Sequence, residues 1–569
     1  MTPKVFVDVS GLSGKGAVRG QLKGRQVDSR AMAEVRAVLG DEPRQRDLLI
    51  EYLHLIQDRY GHLSAAHLVA LADELKLALA EVYEVATFYH HFDVVKEGEA
   101  PPPEITVRVC VTLSCALAGA AALHAETARR CGRNVRVVEA PCIGRCEHAP
   151  VAVVGRNPVD RATPEAVAAA VAARRLAPDI PRYIDYAAYR AGGGYCTLVA
   201  CMRGERNVDD VIAALEDSSL RGLGGAGFPA GRKWRIVRAE PAPRLLTVNI
   251  DEGEPGTFKD RYYLERDPHR FVEGALIAAW AVGIDEIYLY LRDEYAACRA
   301  ILRAELAALE SDPPCPLPRI HLRRGAGAYI CGEESAMIES IEGKRGMPRL
   351  RPPYVAQVGL FGRPTLEQNL ETLHWVRDIL ERGAAWFSRQ GRHGRKGLRS
   401  FSVSGRVAKP GVHLAPAGIT VRELIDELCG GMLPGHELYA YLPGGASGGI
   451  LPASLADVPL DFDTLQPYGC FIGSAAVIVL SQFDCARDAA LNLLRFFADE
   501  SCGQCTPCRV GTEKAVRLLQ APRWDVPLLD ELGRAMTDAS ICGLGQAAPN
   551  PIACVVRYFP QELANVGAQ

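Results

Sequence analysis

Toward its C-terminal end the chain runs Glu500-Ser501-Cys502-Gly503-Gln504-Cys505-Thr506-Pro507-Cys508-Arg509, and a lone cysteine follows later in Ile541-Cys542-Gly543-Leu544-Gly545. The C-x2-C-x2-C spacing gathers three thiolates on one tight turn. That geometry suits three irons of one cubane [4Fe–4S] cluster, with a distant cysteine supplying the fourth ligand. A structural zinc ion prefers two separated C-x2-C pairs. Cysteines that merely pack inside a helix are the plainer alternative. The constraint on the fold is severe, because the turn must hold three sulfurs outward while a remote segment returns to it. A cubane moves single electrons, so the chain reads as electron-transfer machinery. Cys542 is the expected fourth ligand: its Gly-rich turn frees a thiolate and offers backbone N–H groups to the sulfurs. Cys554, in Pro551-Ile552-Ala553-Cys554-Val555-Val556, reads as core.

A second set lies upstream. Ile105-Thr106-Val107-Arg108-Val109-Cys110 alternates like a strand and ends on a cysteine. Cys115 follows at C-x4-C, and Cys142 and Cys146 form a C-x3-C pair after the strand-like Val135–Glu139. Two cysteine pairs, each just past a strand, suggest a four-thiolate [2Fe–2S] site in an α/β domain; zinc is the rival. Cys131, beside Gly132 and without a pairing partner, reads as a bystander.

At 569 residues the chain is long enough for three to five domains, and its 18 cysteines occur without an N-terminal apolar secretory segment. Thiols held as ligands or core residues in a reducing cytoplasm are therefore expected, rather than disulfides. A net charge of −3 offers no basic field for nucleic acid, and no apolar run reaches membrane-spanning length. Residues 1–30 read as a flexible tail. From 31 to about 100 apolar spacing by threes and fours predicts a helical bundle, with Ser64 as an N-cap. After Pro101-Pro102-Pro103 the first cysteine domain occupies 104–175. Residues 181–395 are α/β and glycine-rich, with strands at Leu245–Asn249 and Glu286–Tyr290 around a helix Phe271–Val282. Strands predominate over 398–482, including Phe401–Gly405 and Ile472–Leu480 about a short helix Val421–Leu428. Residues 485–569 are helical again.

Three loops in the glycine-rich centre carry chemistry. Arg221-Gly222-Leu223-Gly224-Gly225-Ala226-Gly227-Phe228-Pro229 matches G-x-G-x-x-G, a weak signal alone. A helix-like segment precedes it where a dinucleotide fingerprint has a strand. Close backbone approach to phosphate still requires residues without Cβ, and Lys233 stands just beyond as a countercharge. Val248-Asn249-Ile250-Asp251-Glu252-Gly253-Glu254 sets polar groups at the C-terminal end of a predicted strand, the edge where open α/β sheets bind ligands. Gly325–Ser335 opens an amphipathic helix, Ala336–Ile341, whose free N–H groups suit an anion or a polar ligand edge. Solvated turns are the alternative for each loop taken singly.

These loops, with Gly346–Tyr354, Pro364–Thr372 and the cubane cysteines, strongly resemble the NADH- and FMN-binding subunit of respiratory complex I and its soluble relatives. The segment from about 35 to 175, with Glu81–Tyr89 and its four cysteines, resembles the complex I partner that carries a [2Fe–2S] cluster on a thioredoxin-like fold. Such fusions occur in the diaphorase parts of NAD-dependent formate dehydrogenases and NAD-linked hydrogenases. The nearest likeness is to the β subunits of molybdenum or tungsten formate dehydrogenases, since no further ferredoxin module follows the cubane segment.

The resemblance implies an α/β multidomain fold: helical bundle, thioredoxin-like [2Fe–2S] domain, Rossmann-like FMN/NADH domain, ubiquitin-like β-grasp (SLBB) domain and helical [4Fe–4S] domain. It implies that Gly222, Gly224, Gly225 and Lys233 hold the FMN phosphate region and that Asn249, Asp251 and Glu252 contact the flavin. Tyr329, Gly332, Glu333 and Asn369 would line it. Phe228, Glu254, Glu334, Arg351 and Tyr354 would meet the nicotinamide nucleotide, Glu254 as the candidate catalytic carboxylate. The metal ligands would be Cys110, Cys115, Cys142, Cys146, Cys502, Cys505, Cys508 and Cys542. Ile236, Tyr354 and Gln368 depart from the commoner family pattern and put the adenine contacts in question. The implied partner is a formate-oxidising α subunit with a metal–pterin centre, or a hydrogenase or complex I-like assembly. The [2Fe–2S] cluster would serve as a relay to that partner or as a side reservoir.

Overall fold

A computed structural model describes residues 25–563; most of the 1–30 tail lies outside the described residues. Four helices open the chain, Ser29–Leu39, Leu49–Tyr60, Ala65–Leu75 and Leu79–Phe88. Asp28 caps the first by accepting the Ala31 N–H at 2.8 Å. Ser64 caps the third by accepting the His67 N–H at 3.1 Å. Their buried residues, Leu53, Ile56, Leu71 and Val85 among them, belong to the same continuous core as the glycine-rich domain. The Tyr89 hydroxyl donates to Ser340 Oγ at 2.9 Å, and the His91 N–H donates to the Ala326 carbonyl at 3.1 Å.

The next sheet has strands β1 (Ile105–Cys110), β2 (Val135–Ala140), β3 (Ala152–Val154) and β4 (Asn157–Val159) in the order β2-β1-β3-β4. β1 and β2 are parallel, so their connection crosses over through the helix Ala120–Cys131, where Cys131 is the last residue. This unit keeps a small separate core of Val107, Val109, Leu123, Val154 and Val167.

The glycine-rich domain is built on four parallel strands, β5 (Arg244–Ile250), β6 (Ile284–Leu291), β7 (Arg319–Arg324) and β8 (Thr365–Asn369), ordered β8-β5-β6-β7. Leu246, Val248 and Ile250, with Ile287, Leu289 and Leu291, are buried, as expected where helices such as Pro268–Val282 cover a parallel sheet. The chain winds from β5 to β6 to β7 and then returns to β8 on the other flank of β5. The switch in winding direction therefore falls between β5 and β8, where Asn249 and Asn369 are register partners. Such a switch point opens a crevice beyond the strand ends.

A five-stranded mixed sheet follows: β9 (Leu398–Gly405), β10 (Gly411–Pro416), β11 (Leu438–Leu442), β12 (Leu451–Pro452) and β13 (Ala476–Ser481), ordered β10-β9-β13-β11-β12. Here the expected strand Ile472–Leu480 is corrected. Gly473 and Ala475 adopt positive φ (47° and 58°), and the Ala475 N–H donates to the Ile472 carbonyl at 2.8 Å, so a turn precedes β13. Helices Ala486–Asp499, Thr506–Leu519, Val526–Ala539, Gly543–Ala547 and Asn550–Tyr558 complete the fold. Among the described residues no helix is long and apolar enough to cross a membrane.

Two buried arginines dock the first cysteine loop onto the glycine-rich domain. Arg261 Nε donates to the Gly144 carbonyl at 2.8 Å, while its other nitrogens pair with Glu147 and with Glu265 (2.7 Å). Arg292 Nη2 donates to the Cys142 carbonyl at 2.7 Å and Nη1 to the Glu252 carbonyl. Replacing Arg261 with Met removes the nearest cation from the largely buried Glu147 and Glu265, leaving them only the longer pairs with His148 (3.5 Å) and Arg145 (3.6 Å), which should cost about 3 kcal/mol. Calorimetry should show the thioredoxin-like unit melting at a lower temperature; an unchanged midpoint would show that Arg261 does not hold the docking.

Candidate flavin site and its flanking cysteine centres

The polar groups singled out in the sequence collect at the C-terminal edge of the β8-β5-β6-β7 sheet. Asn249 Nδ2 donates to the Gly332 carbonyl at 2.9 Å and to Glu367 Oε1 at 3.2 Å. Asn369 Nδ2 donates to Asp260 Oδ2 at 2.7 Å, and its Oδ1 accepts the Glu371 N–H at 3.0 Å. A Cβ on Gly224 would lie 2.9 Å from Asn369 Cβ, so the glycine loop closes directly on the switch point. That loop is a hairpin: the Gly222 N–H donates to the Phe228 carbonyl at 2.8 Å, and Arg221 bridges Pro229. Gly227 has φ +67°, and the Phe462 ring stands 2.5 Å from where its Cβ would be. Only glycine meets both conditions. A Cβ on Gly225 would lie 3.7 Å from the Gly473 carbonyl carbon.

Three carboxylates leave β5. Asp251 Oδ2 is buried with no hydrogen-bond partner, and burial pushes its carboxyl well above the usual range. An unanswered buried acceptor at a strand end suits a site completed by a ligand's donors. Glu252 turns inward. It accepts the Asp260 N–H at 2.8 Å, the Arg261 N–H at 3.2 Å and the Tyr295 hydroxyl at 2.8 Å. Burial, then the nearby Asp260 charge, push it up to about 7. Glu254 accepts the Ser447 N–H at 2.8 Å and hydroxyl at 2.7 Å, and also the Tyr329 hydroxyl. Burial raises it as well.

The nucleotide candidates form a charged rim. Lys233 Nζ is 3.3 Å from Glu367 and 3.9 Å from Glu334; Arg351 reaches Glu334 at 3.1 Å and also pairs with Glu333. Phe228, Ile236 and Tyr354 are exposed beside it. One expectation is corrected. The N–H groups at the start of the helix Glu334–Ile341 are not open, because Glu333 Oε2 accepts both the Ser335 and Ala336 N–H groups at 2.9 Å. A carboxylate at an N-cap competes with any incoming anion there. Gln368 is buried, with its Nε2 unpartnered.

Both cysteine sets flank this edge. Cys502, Cys505, Cys508 and Cys542 line one small cavity together with Ile330 of the Tyr329–Gly332 turn. Glu500 accepts the Tyr329 N–H at 2.8 Å and so joins the two loops. Cys505 and Cys542 each precede a helix, Thr506–Leu519 and Gly543–Ala547. Burial pushes the Cys542 thiol up to about 12, against the pull of the Leu544 and Gly545 N–H groups; bound metal would hold such a ligand deprotonated. Cys554 is elsewhere, its Sγ 3.5 Å from that of Cys470. On the other flank Cys110, Cys115, Cys142 and Cys146 are all buried, and Cys142 and Cys146 pack on Phe258. Four sulfurs at each centre, without histidine or carboxylate, form a donor set suited to iron–sulfur clusters. Sequence reasoning missed Arg261, Arg292, Tyr295, Ser447 and Glu500. The strand-end rule applied to β6 as well as β5 would have found Arg292 and Tyr295.

Family models match four stretches of the chain. Residues 215–378 match the Nuo51 FMN-binding domain and 35–175 the thioredoxin-like [2Fe-2S] ferredoxin. Residues 400–451 match the SLBB domain, and 488–566 the NADH-ubiquinone oxidoreductase-F iron-sulfur binding region. The chain is thus an NAD(H)-dependent oxidoreductase subunit with FMN, a [2Fe–2S] and a [4Fe–4S] cluster. It is 41% identical over 401 residues to the F 2 subunit of NADH-quinone oxidoreductase from Rhizobium meliloti (strain 1021), covering 68% of this chain and 94% of that protein. It is 40% identical to the mitochondrial NADH dehydrogenase [ubiquinone] flavoprotein 1 of Dictyostelium discoideum, covering 63% of this chain and 79% of that one. The chain belongs to this family of FMN-binding NADH oxidoreductase subunits. A crystal structure of an NAD+-reducing [NiFe]-hydrogenase in the H2-reduced state aligns over 92% of this chain and 93% of that chain, with TM-score 0.81 and 32% identity.

Asp251, Glu252 and Glu254 all have folded pKa values above their unfolded ones, so the folded state binds more protons through the intervening interval. Stability should then fall as pH rises between about 4.5 and about 7, the Glu252 interval. Thermal midpoints across that interval should decline less steeply in Glu252→Gln; an unchanged slope would exclude Glu252. For the cubane, Cys542→Ser should remove its EPR signal and Cys554→Ser should spare it, and the reverse would exchange their roles.

Proposed function

We propose that this chain is the diaphorase subunit of an NAD-dependent formate dehydrogenase, working with a partner subunit that oxidises formate at a molybdenum or tungsten pterin centre. FMN, when bound, exchanges hydride with NAD(H) and single electrons with iron–sulfur clusters. The chain's own residues position the groups. In this reading Gly222, Gly224, Gly225 and Lys233 hold the flavin's phosphate side at the switch point, and Asn369 lines the flavin beside them. Asp251 and Gly332 border the ring. Glu254, steadied by Tyr329 and Ser447, faces the nicotinamide as the candidate catalytic carboxylate. Glu252 acts indirectly, because its carboxylate caps the helix Lys259–Leu264 and so fixes the loop. The domains are read as Rossmann-like for β5–β8 and as a ubiquitin-like β-grasp for β9–β13.

One observation carries the direction of coupling. The [2Fe–2S] cysteines are enclosed by this chain, whereas Cys502, Cys505 and Cys542 are only half-buried. We therefore read the cubane face as the exit toward the partner and the [2Fe–2S] centre as a side reservoir. The formate partner rests on the sequence resemblance. A hydrogenase partner is the second reading, favoured by the near full-length likeness to the NAD+-reducing [NiFe]-hydrogenase chain.

The isolated chain should reduce ferricyanide with NADH yet form no NADH from formate or hydrogen. Adding the metal–pterin formate subunit should restore formate-driven NADH formation, and Cys505→Ser should abolish that coupled rate while largely sparing ferricyanide reduction. Restoration only by a nickel–iron subunit with hydrogen would select the second reading.

A further inference from the structure

Where the glycine loop meets the β9–β13 sheet, a cavity of about 280 Å³ is walled by Arg221, Arg395, Lys396 and Arg399, with Asp461 as its carboxylate. The volume falls below the ~300–1,000 Å³ of clefts that hold drug-sized ligands. Arg399 is 2% exposed. Its Nη2 lies 3.3 Å from Asp461 Oδ1, while Nε and Nη1 have no hydrogen-bond partner. Asp461 is shared, since Arg395 Nε donates to its other oxygen at 2.7 Å. Asp463 is taken by Arg221 at 2.8 Å. Lys396 is exposed at the mouth and has no carboxylate partner among the described residues. The lining carries four cationic side chains and one carboxylate, an excess of positive charge that Asp463 beside Arg221 and the buried Glu371 acting on Arg399 reduce without supplying the missing acceptors.

Buried charged groups in native structures are paired and hydrogen-bonded, and each unmet donor costs about 1–3 kcal/mol. The deficit here is of acceptors. A tetrahedral oxyanion offers several acceptor oxygens to a planar guanidinium fork and a second charge to a lysine. We propose that this cavity is a binding site for a small phosphate-class oxyanion, held by Arg399 and Lys396 and separate from the flavin and nucleotide sites.

The site is joined to the glycine loop. Arg221 and Arg399 stack on the Phe462 ring, their guanidinium carbons 4.5 Å and 4.1 Å from its centroid. That ring is the one occupying the Cβ position of Gly227, and Arg221 Nε donates to the Gly227 carbonyl. An anion that anchors Arg399 therefore steadies Phe462 and the loop behind the flavin. This link to flavin retention rests on the flavin reading of the loop; binding of the anion does not.

The test uses the full-length, FMN-loaded chain with saturating NAD to fill the nucleotide site. Inorganic phosphate is titrated by calorimetry against chloride at matched ionic strength. Saturable binding at one site is expected, with a raised melting temperature and slower FMN release. Lys396→Glu, a surface change, should weaken phosphate binding about tenfold or more, equivalent to about 1.4 kcal/mol, and leave the NADH KM unchanged. Arg399→Met should abolish binding; if that variant does not fold, Lys396→Glu decides alone. No phosphate-specific binding, or binding unaltered in Lys396→Glu, would overturn the site. Binding without any change in FMN release would leave the site standing and overturn only the link to the loop.

Discussion

Two guanidinium groups removed from water, those of Arg261 and Arg292, fix the spacing on which the rest of the molecule depends. Charge-assisted hydrogen bonds from a rigid planar fork hold geometry more tightly than apolar contact does. Arg292 bonds the backbone of Glu252 on one side and of Cys142 on the other. The strand-end loop of one domain and the cysteine loop of another therefore share a single side chain. Arg261 repeats the arrangement with Gly144. Tyr295 packs on Gly144, whose φ of +70° and lack of Cβ let the hydroxyl reach Glu252.

The same economy governs the opposite flank. Glu500 sits two residues before Cys502 and binds the backbone of Tyr329, so the cubane turn is registered to the loop that closes the β7 edge. Ser447, from the β9–β13 domain, clamps Glu254. Glu254 and the Tyr329 backbone at the flavin edge are thus each held by a neighbour from another domain. That is how a site made of loops gains the rigidity of the sheet beneath it. The three raised carboxylates are the electrostatic consequence of packing so many loops over one strand end.

The cysteine centres were legible because ligand chemistry forces short, recognisable spacings. The loops were legible because glycine and strand-end polarity mark ligand approach. The docking residues were not. Ser447 and Glu254 are 193 positions apart, and nothing local distinguishes that serine from a solvated one. Apolar composition made Ile472–Ala475 read as strand, whereas Gly473 and the positive φ of Ala475 make it a turn. At Glu333 the usual helix-start rule gave no warning, because glutamate is not among the residues that commonly cap a helix N-terminus.

The first four helices share their core with the flavin domain, while the thioredoxin-like sheet that follows them keeps a small core of its own. Covalent order and packing order therefore disagree. The sheet is strung between two segments that are both anchored elsewhere, at Tyr89 and, after the linker containing Pro178 and Pro181, at Tyr186, whose N–H donates to Glu305 at 2.7 Å. A module leashed at both ends returns to its dock at high effective concentration, so a largely polar interface suffices to keep it in place. Freed of one leash by a protease, the same interface would have to hold by its intrinsic affinity alone.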